Sequence, residues 1–111
     1  MSDVQLPNHF ELRTEYVGDM TDNLKTDLDK IAHKHIDNMS SSYLKKYIEK
    51  SDAEVHFHVR MEKLSDGRYE LKFNALLDWN KFYWDTDVPF KEPYDAMNHA
   101  FKHLKEHLAQ K

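Results

Sequence analysis

Apolar and polar positions along this chain fall into two distinct periods. From His9 to Val17 they alternate, with Phe10, Leu12, Thr14 and Tyr16 on one side and Glu11, Arg13 and Glu15 on the other. A period of two is the mark of a strand with one buried face. Gly18 and Asp19 end it. Thr21 is suited to cap a helix, and Leu24, Leu28, Ile31, Ala32, His35, Ile36 and Met39 then recur at helical spacing. Serine hydroxyls compete for nearby backbone, so Ser40, Ser41 and Ser42 predict a break. Tyr43, Leu44, Tyr47 and Ile48 resume the helical pattern on a rotated arc, which predicts two helical pieces rather than one rod.

Alternation returns at Val55, Phe57, Val59 and Met61, with Glu54, His56, His58, Arg60 and Glu62 between them. Ser65-Asp66-Gly67 follows, and Asp-Gly between alternating runs is a hairpin signal. Tyr69, Leu71, Phe73, Ala75 and Leu77 make the next inward face. A turn over 78–81 leads to a short aromatic strand, Phe82 to Trp84, and residues 85–92 form a loop containing Pro89. Pro93 fits the first turn of a helix, in which Tyr94, Met97, Phe101, Leu104 and Leu108 form one stripe. The order is β-α-β-β-β-α. A helix between the first two strands pairs them in parallel, and two hairpins continue the sheet antiparallel. The fold class is α+β: a two-layer sandwich, a four-stranded mixed sheet with two helices packed on one face. The other sheet face is left to water. Its expected core includes Phe10, Leu12, Leu24, Leu28, Ile31, Phe57, Phe73, Met97, Phe101 and Leu104.

The chain has 111 residues, enough for one domain, with 1–8 as a mobile arm ahead of a single domain at 9–111. It contains no cysteine, which removes disulfides, thiol nucleophiles and thiolate metal sites and fits a reducing compartment. No signal peptide or membrane-length apolar run is visible, so the expected location is the cytoplasm. Net charge is −4, and protonating all eight histidines would add eight charges to give +4.

Residues 21–50 carry six lysines against five acids, and the last helix is balanced at three of each. These lysines are either phosphate contacts or an ordinary solvated face with helical ion pairs. His99, His103 and His107 repeat at one-turn spacing opposite the Phe101 and Leu104 stripe. Two imidazoles one turn apart can ligate a metal, but no other element supplies further ligands, so no metal is expected. Trp79, Phe82, Tyr83, Trp84 and Phe90 could stack on bases, yet core filling on one side and an interface on the other is the simpler role. Two glycines cannot build a phosphate loop, and no nucleophile–base arrangement stands out. The chain reads as non-enzymatic, without a cofactor.

Three stretches share a wider likeness: FELRTEYVGDMTDNL at the start, YLKKY leading into VHFHVRMEK, and the last helix with Tyr94, Ala96, Met97, Asn98, His103, Leu104 and Leu108. Together they resemble the short form of the ribosome hibernation promoting factor (protein Y) family over about residues 9–111. In the last helix the chain has Asn98, His103 and Glu106 where that pattern carries Asp, Lys and a basic residue. The resemblance implies a non-catalytic factor that binds rRNA of the small ribosomal subunit and inhibits translation or promotes hibernation under stress. The rRNA-binding residues it implies are Lys25, Lys30, Lys34, Lys45 and Lys46 from the first helical region, Arg60 and Lys63 from strand two, and Lys102, His103 and Lys105 from the last helix. Neither DNA nor a membrane is an expected partner. The alternative is an interaction module of the same fold that has lost rRNA binding and pairs with itself or a partner through the aromatic strand or outer sheet face.

Overall fold

A computed structural model describes residues 10–49, 54–78 and 80–109. The arm at 1–8, Lys50, Trp79, Lys111 and the side chains of Phe10 and Ile48 lie outside that set. The elements are β1 (Phe10–Val17), α1 (Asp22–Ser40), α2 (Lys45–Glu49), β2 (Val55–Lys63), β3 (Tyr69–Leu77), β4 (Asn80–Asp85) and α3 (Pro93–Ala109). The sheet order is β1-β2-β3-β4, with β1 parallel to β2 and the other two pairings antiparallel. This is the expected α+β sandwich. Among the described residues, no helix is long and apolar enough to cross a membrane.

Local chemistry explains the boundaries. Thr21 Oγ1 accepts from the Leu24 amide at 3.2 Å, satisfying one of the unpaired donors of the first turn of α1. At the other end Ser40 Oγ donates to the Asp37 carbonyl at 2.6 Å, while the Ser42 and Leu44 amides both donate to the Met39 carbonyl. The chain therefore turns without stranding its polar groups, and the turn buries Leu44 and α2 buries Tyr47 on a new arc. The β3–β4 connection is tighter than the 78–81 turn expected from sequence. Asp78 adopts a positive φ of 61°, which Asp tolerates better than most residues, so pairing restarts at Leu77↔Asn80. As a result β4 begins two residues before Phe82 and runs to Asp85.

Phe57, Val59, Met61, Leu71, Phe73 and Leu77 cover the inner sheet face. Onto them pack Leu28, Ala32, Ile36 and Met39 of α1 and Met97, Ala100, Phe101 and Leu104 of α3, all buried. Leu12, Leu24 and Ile31 are only partly buried, a correction to their expected place in the centre. Leu12 sits on an edge strand and Leu24 in the first turn of α1. Ile31 shares its arc with Asp27 and His35, which reach across to α3.

Candidate nucleic-acid interface

The two long helices lie side by side on the sheet, and Lys34 of one and Lys105 of the other bear on a residue in the seam between them. That residue is His35 of α1. The imidazole stacks on the buried Phe101 ring of α3, with centroids 4.8 Å apart and planes within 6°. Nε2 meets Asn98 Oδ1 at 2.7 Å, and since that oxygen only accepts, Nε2 carries the proton. Nδ1 is buried without a hydrogen-bond partner. Burial pushes the His35 pKa below its usual value, opposed by the Asn98 contact; Lys105 and Lys34 push it further down. Lysines from both helices thus bear on one ring. Farther along the seam, the Tyr94 hydroxyl donates to Asp27 Oδ2 at 3.4 Å.

The expected rRNA-binding residues are spread over both layers of the sandwich. Lys30, Lys34 and Lys102 are exposed on the helical layer, and Lys105 is half-buried beside the seam. Lys25 is half-buried near the start of α1. Lys45 and Lys46 are exposed on α2, where Lys46 Nζ lies 5.1 Å from the Tyr47 ring centroid. Arg60 is set apart on the outer sheet face, with Nε 3.8 Å from Glu15 and Nη1 3.9 Å from Glu62. Lys63 ends β2 beside Gly18, at which an added Cβ would come within 2.7 Å of the Lys63 carbonyl. A glycine with φ of 102° is what permits that approach. The helical lysines and Arg60 belong to opposite faces of the sandwich.

The histidines of α3 require a correction. They do not form a free polar face opposite the core stripe. α3 runs antiparallel to β4, so its one-turn spacing meets the inward aromatics of the strand and its following loop. His107 packs on Phe82 at 5.1 Å, His103 on Trp84 at 5.2 Å and His99 on Phe90 at 5.1 Å between centroids. His107 Nε2 also meets Asn80 Oδ1 at 3.3 Å, and His103 Nδ1 lies 3.3 Å from Glu106. His103 is therefore half-covered and tied to an acid, which draws it away from the lysine group. Among the described residues no set of three His, Asp or Glu side chains is placed to hold a metal. The sequence shows the four-residue period of these histidines but not the strand they rest on.

A two-layer β-α-β-β-β-α sandwich with lysines around a helix–helix seam defines the class of this domain. The solved structures it resembles share that fold. One is the N-terminal domain of protein Y from Thermus thermophilus, with 13% identity and a TM-score of 0.55 over 96% of this chain and 98% of that one. Another is a ribosomal subunit interface protein from Coxiella burnetii, with 12% identity and a TM-score of 0.56 over 90% and 94% of the two chains. No family model matches the chain, and no curated sequence is similar enough to count as a relative. The resemblance read from the sequence holds at the level of the fold.

Proposed function

We propose that this protein is a cytoplasmic, non-catalytic ribosome-associated factor that binds rRNA of the small subunit and restrains translation, as in hibernation under stress. The observation that carries this is the fold shared with a ribosomal subunit interface protein, in a domain whose two long helices each place a lysine, Lys34 and Lys105, near the His35 ring. Lysine ammonium groups on one layer suit phosphate oxygens, whose recognition is independent of sequence and driven by counterion release. Lys30, Lys34, Lys102 and Lys105 form the centre of that surface, with Lys25, Lys45 and Lys46 toward its ends. Arg60, Lys63 and His103 would contribute only through a partner that also reaches the sheet. Fold similarity supports the ribosome as partner; the charge distribution supports the helical layer as the contact.

Co-sedimentation with isolated small subunits and with whole ribosomes, at low and moderate salt, is the test. Binding should be clear at low salt and fall steeply as salt rises, with an accompanying loss of peptide synthesis in a purified translation reaction. Absence of sedimentation at low salt would reject the reading. A second reading, self-association through β4, rests on Tyr83, which is 55% exposed on that edge strand. Phe82 and Trp84 turn inward onto α3, however, so little apolar area is left for a stable interface. A monomer in sedimentation velocity at high protein concentration would dismiss that second reading.

A further inference from the structure

We propose that the outer face of the sheet is a second binding site, one that takes the unpaired bases of single-stranded RNA. It lies on the opposite side of the sandwich from the helical lysines and does not depend on them. The strand registers bring Arg13, His58, Asn74 and Tyr83 into a single row across all four strands, Arg13 opposite His58, His58 opposite Asn74, and Asn74 opposite Tyr83. With strands about 4.8 Å apart, three gaps give a row roughly 14 Å long. Each member ends in a flat group: a guanidinium, an imidazole, a carboxamide and a phenol. Such groups stack on base faces, and Arg and Asn also carry the donors and acceptors that engage base edges. Arg13, Asn74 and Tyr83 are exposed and His58 is half-exposed, its Nε2 3.3 Å from Glu15 Oε1.

The surface around it is shaped and charged for a polyanion. A shallow depression of about 440 Å³ lies here, walled also by His56 and Lys81 of the neighbouring row. Glu11 is its one acid, 3.5 Å from His56 Nδ1, against the permanent cations Arg13 and Lys81. That local surplus stands in a chain of net charge −4. By contrast, the depression between β4 and α3 is walled by Asp85 and Asp87 and no lysine or arginine. On the other side of the row, Glu15, Arg60, Lys72 and Asp85 balance in charge and bound the site. The Tyr83 hydroxyl donates to Asp85 at 3.0 Å, holding the phenol at the margin of the face. Arg13 and Lys81, on the two edge strands, are placed to hold phosphates while bases lie against the row between them. Duplex RNA hides its base faces and offers nothing to this row.

The experiment uses fluorescein-labelled single-stranded octamers of U and of A, a hairpin duplex of similar charge, and the DNA octamers, with the purified protein and no ribosomes. Anisotropy should show the RNA octamers binding and the duplex binding at least tenfold more weakly. Loss of one base stack is worth about 1–3 kcal/mol, so Tyr83→Ala should weaken octamer binding about 5- to 150-fold. Tyr83→Phe should retain it. His58→Ala should weaken it also, while Lys30→Glu with Lys34→Glu should change it less than Tyr83→Ala does. Amide shift changes on RNA titration should map to β2, β3 and β4. Unchanged circular dichroism melts for the variants confirm that the fold persists. The proposal is overturned by octamers that fail to bind, by equal binding of duplex, or by binding that Tyr83→Ala and His58→Ala leave intact. It is equally overturned by DNA octamers matching RNA, or by a face whose shifts depend on protein concentration alone, which would mark a second copy of the chain. Ribosome co-sedimentation that survives Tyr83→Ala but not the lysine exchange separates this site from the helical one.

Discussion

Replacing Phe101 by Ala should remove a large fraction of the domain's stability. The ring is fully buried and joins the two layers. It lies 4.8 Å from the His35 centroid on α1, 5.0 Å from Phe73 on β3 and 6.5 Å from Phe57 on β2. Truncating a buried Phe to Ala costs about 3–5 kcal/mol, and the cost depends on how far the surroundings can close in. Here they cannot close far. Phe57 and Phe73 sit directly on the two central strands, each hydrogen-bonded on both sides, and His35 is held by Asn98. The loss belongs in the upper half of that range, about 4–5 kcal/mol. A domain's whole stability is about 5–15 kcal/mol, so the Ala variant loses between roughly a quarter and all of it.

Phe101→Leu is the more informative variant, because it keeps most of the volume and should cost about 1–2 kcal/mol. Urea unfolding followed by far-ultraviolet circular dichroism supplies both numbers, with an unchanged m-value as the sign that only the native state was weakened. A second readout is specific to the seam. Burial is the largest cause of the low His35 pKa, so loosening the Phe101 contact should let that pKa rise toward its usual value in an NMR titration. An Ala variant that loses less than about 2 kcal/mol at constant m would refute the placement of Phe101 between the layers.

Exchanging Lys30 and Lys34 together for Glu should weaken ribosome binding and lower the logarithmic salt slope by about 2, with stability within about 0.5 kcal/mol of wild type; an unchanged slope counts against the helical layer. His35 gives a pH dependence with a defined sign. Its folded-state pKa lies below the unfolded 6.5, so the unfolded chain binds the proton first; this stability is full above 6.5 and declines as pH falls toward the folded value. Urea midpoints across that window should fall less steeply for His35→Phe than for wild type, and identical slopes would remove His35 as the cause. Gly18→Ala should destabilise by about 1–3 kcal/mol through its φ of 102° and its approach to the Lys63 carbonyl, measurable as a lower melting temperature.

How far the sequence reaches depends on whether a feature is local. The alternation at 55–63 and 69–77 marks two strands because each side chain reports its own face, and the Asp66-Gly67 turn fixes their partnership. The break after Ser40 is legible for the same reason, since serine hydroxyls act on the carbonyls three residues back. Features that arise between elements were hidden. A β3–β4 turn closing at Lys81 would set Leu77 opposite Phe82 and Tyr83 opposite Leu76. The tighter turn at Asp78 shifts the register by two and sets Tyr83 opposite Asn74. One residue's backbone conformation thus decides which side chains share a row. Likewise, the period of His99, His103 and His107 suggests a free helical face until α3 is seen to run along β4. Of the ten residues expected to touch rRNA, the helical lysines were legible as a group, and so was the separation of Arg60 from them. Period-two patterning assigns Arg60 to the outer face, yet nothing in it shows that Glu15 and Glu62 lie within ion-pair range.

A net charge of −4 would weigh against any RNA-binding role if charge acted as a single sum. It does not act that way at physiological salt, where exposed charges more than about 8 Å apart are largely screened from one another. What a phosphate meets is the local surface, and here the acids are dispersed. Asp66 is engaged by Arg68 at 2.7 Å at the hairpin tip, and Asp29 takes the Tyr16 hydroxyl at 2.6 Å on the β1 side of α1. Asp85 and Asp87 wall the depression between β4 and α3. The helix–helix seam keeps Asp27 beside Tyr94, and the outer sheet face keeps Glu11 beside His56 and Glu15 beside His58; in both regions lysine or arginine side chains stand alongside these acids. The two regions sit on opposite layers, so an RNA bound at one would not shield the other. Lysine substitutions on α1 and aromatic substitutions on β4 should therefore act additively on any target that spans both faces, and independently on targets that reach only one.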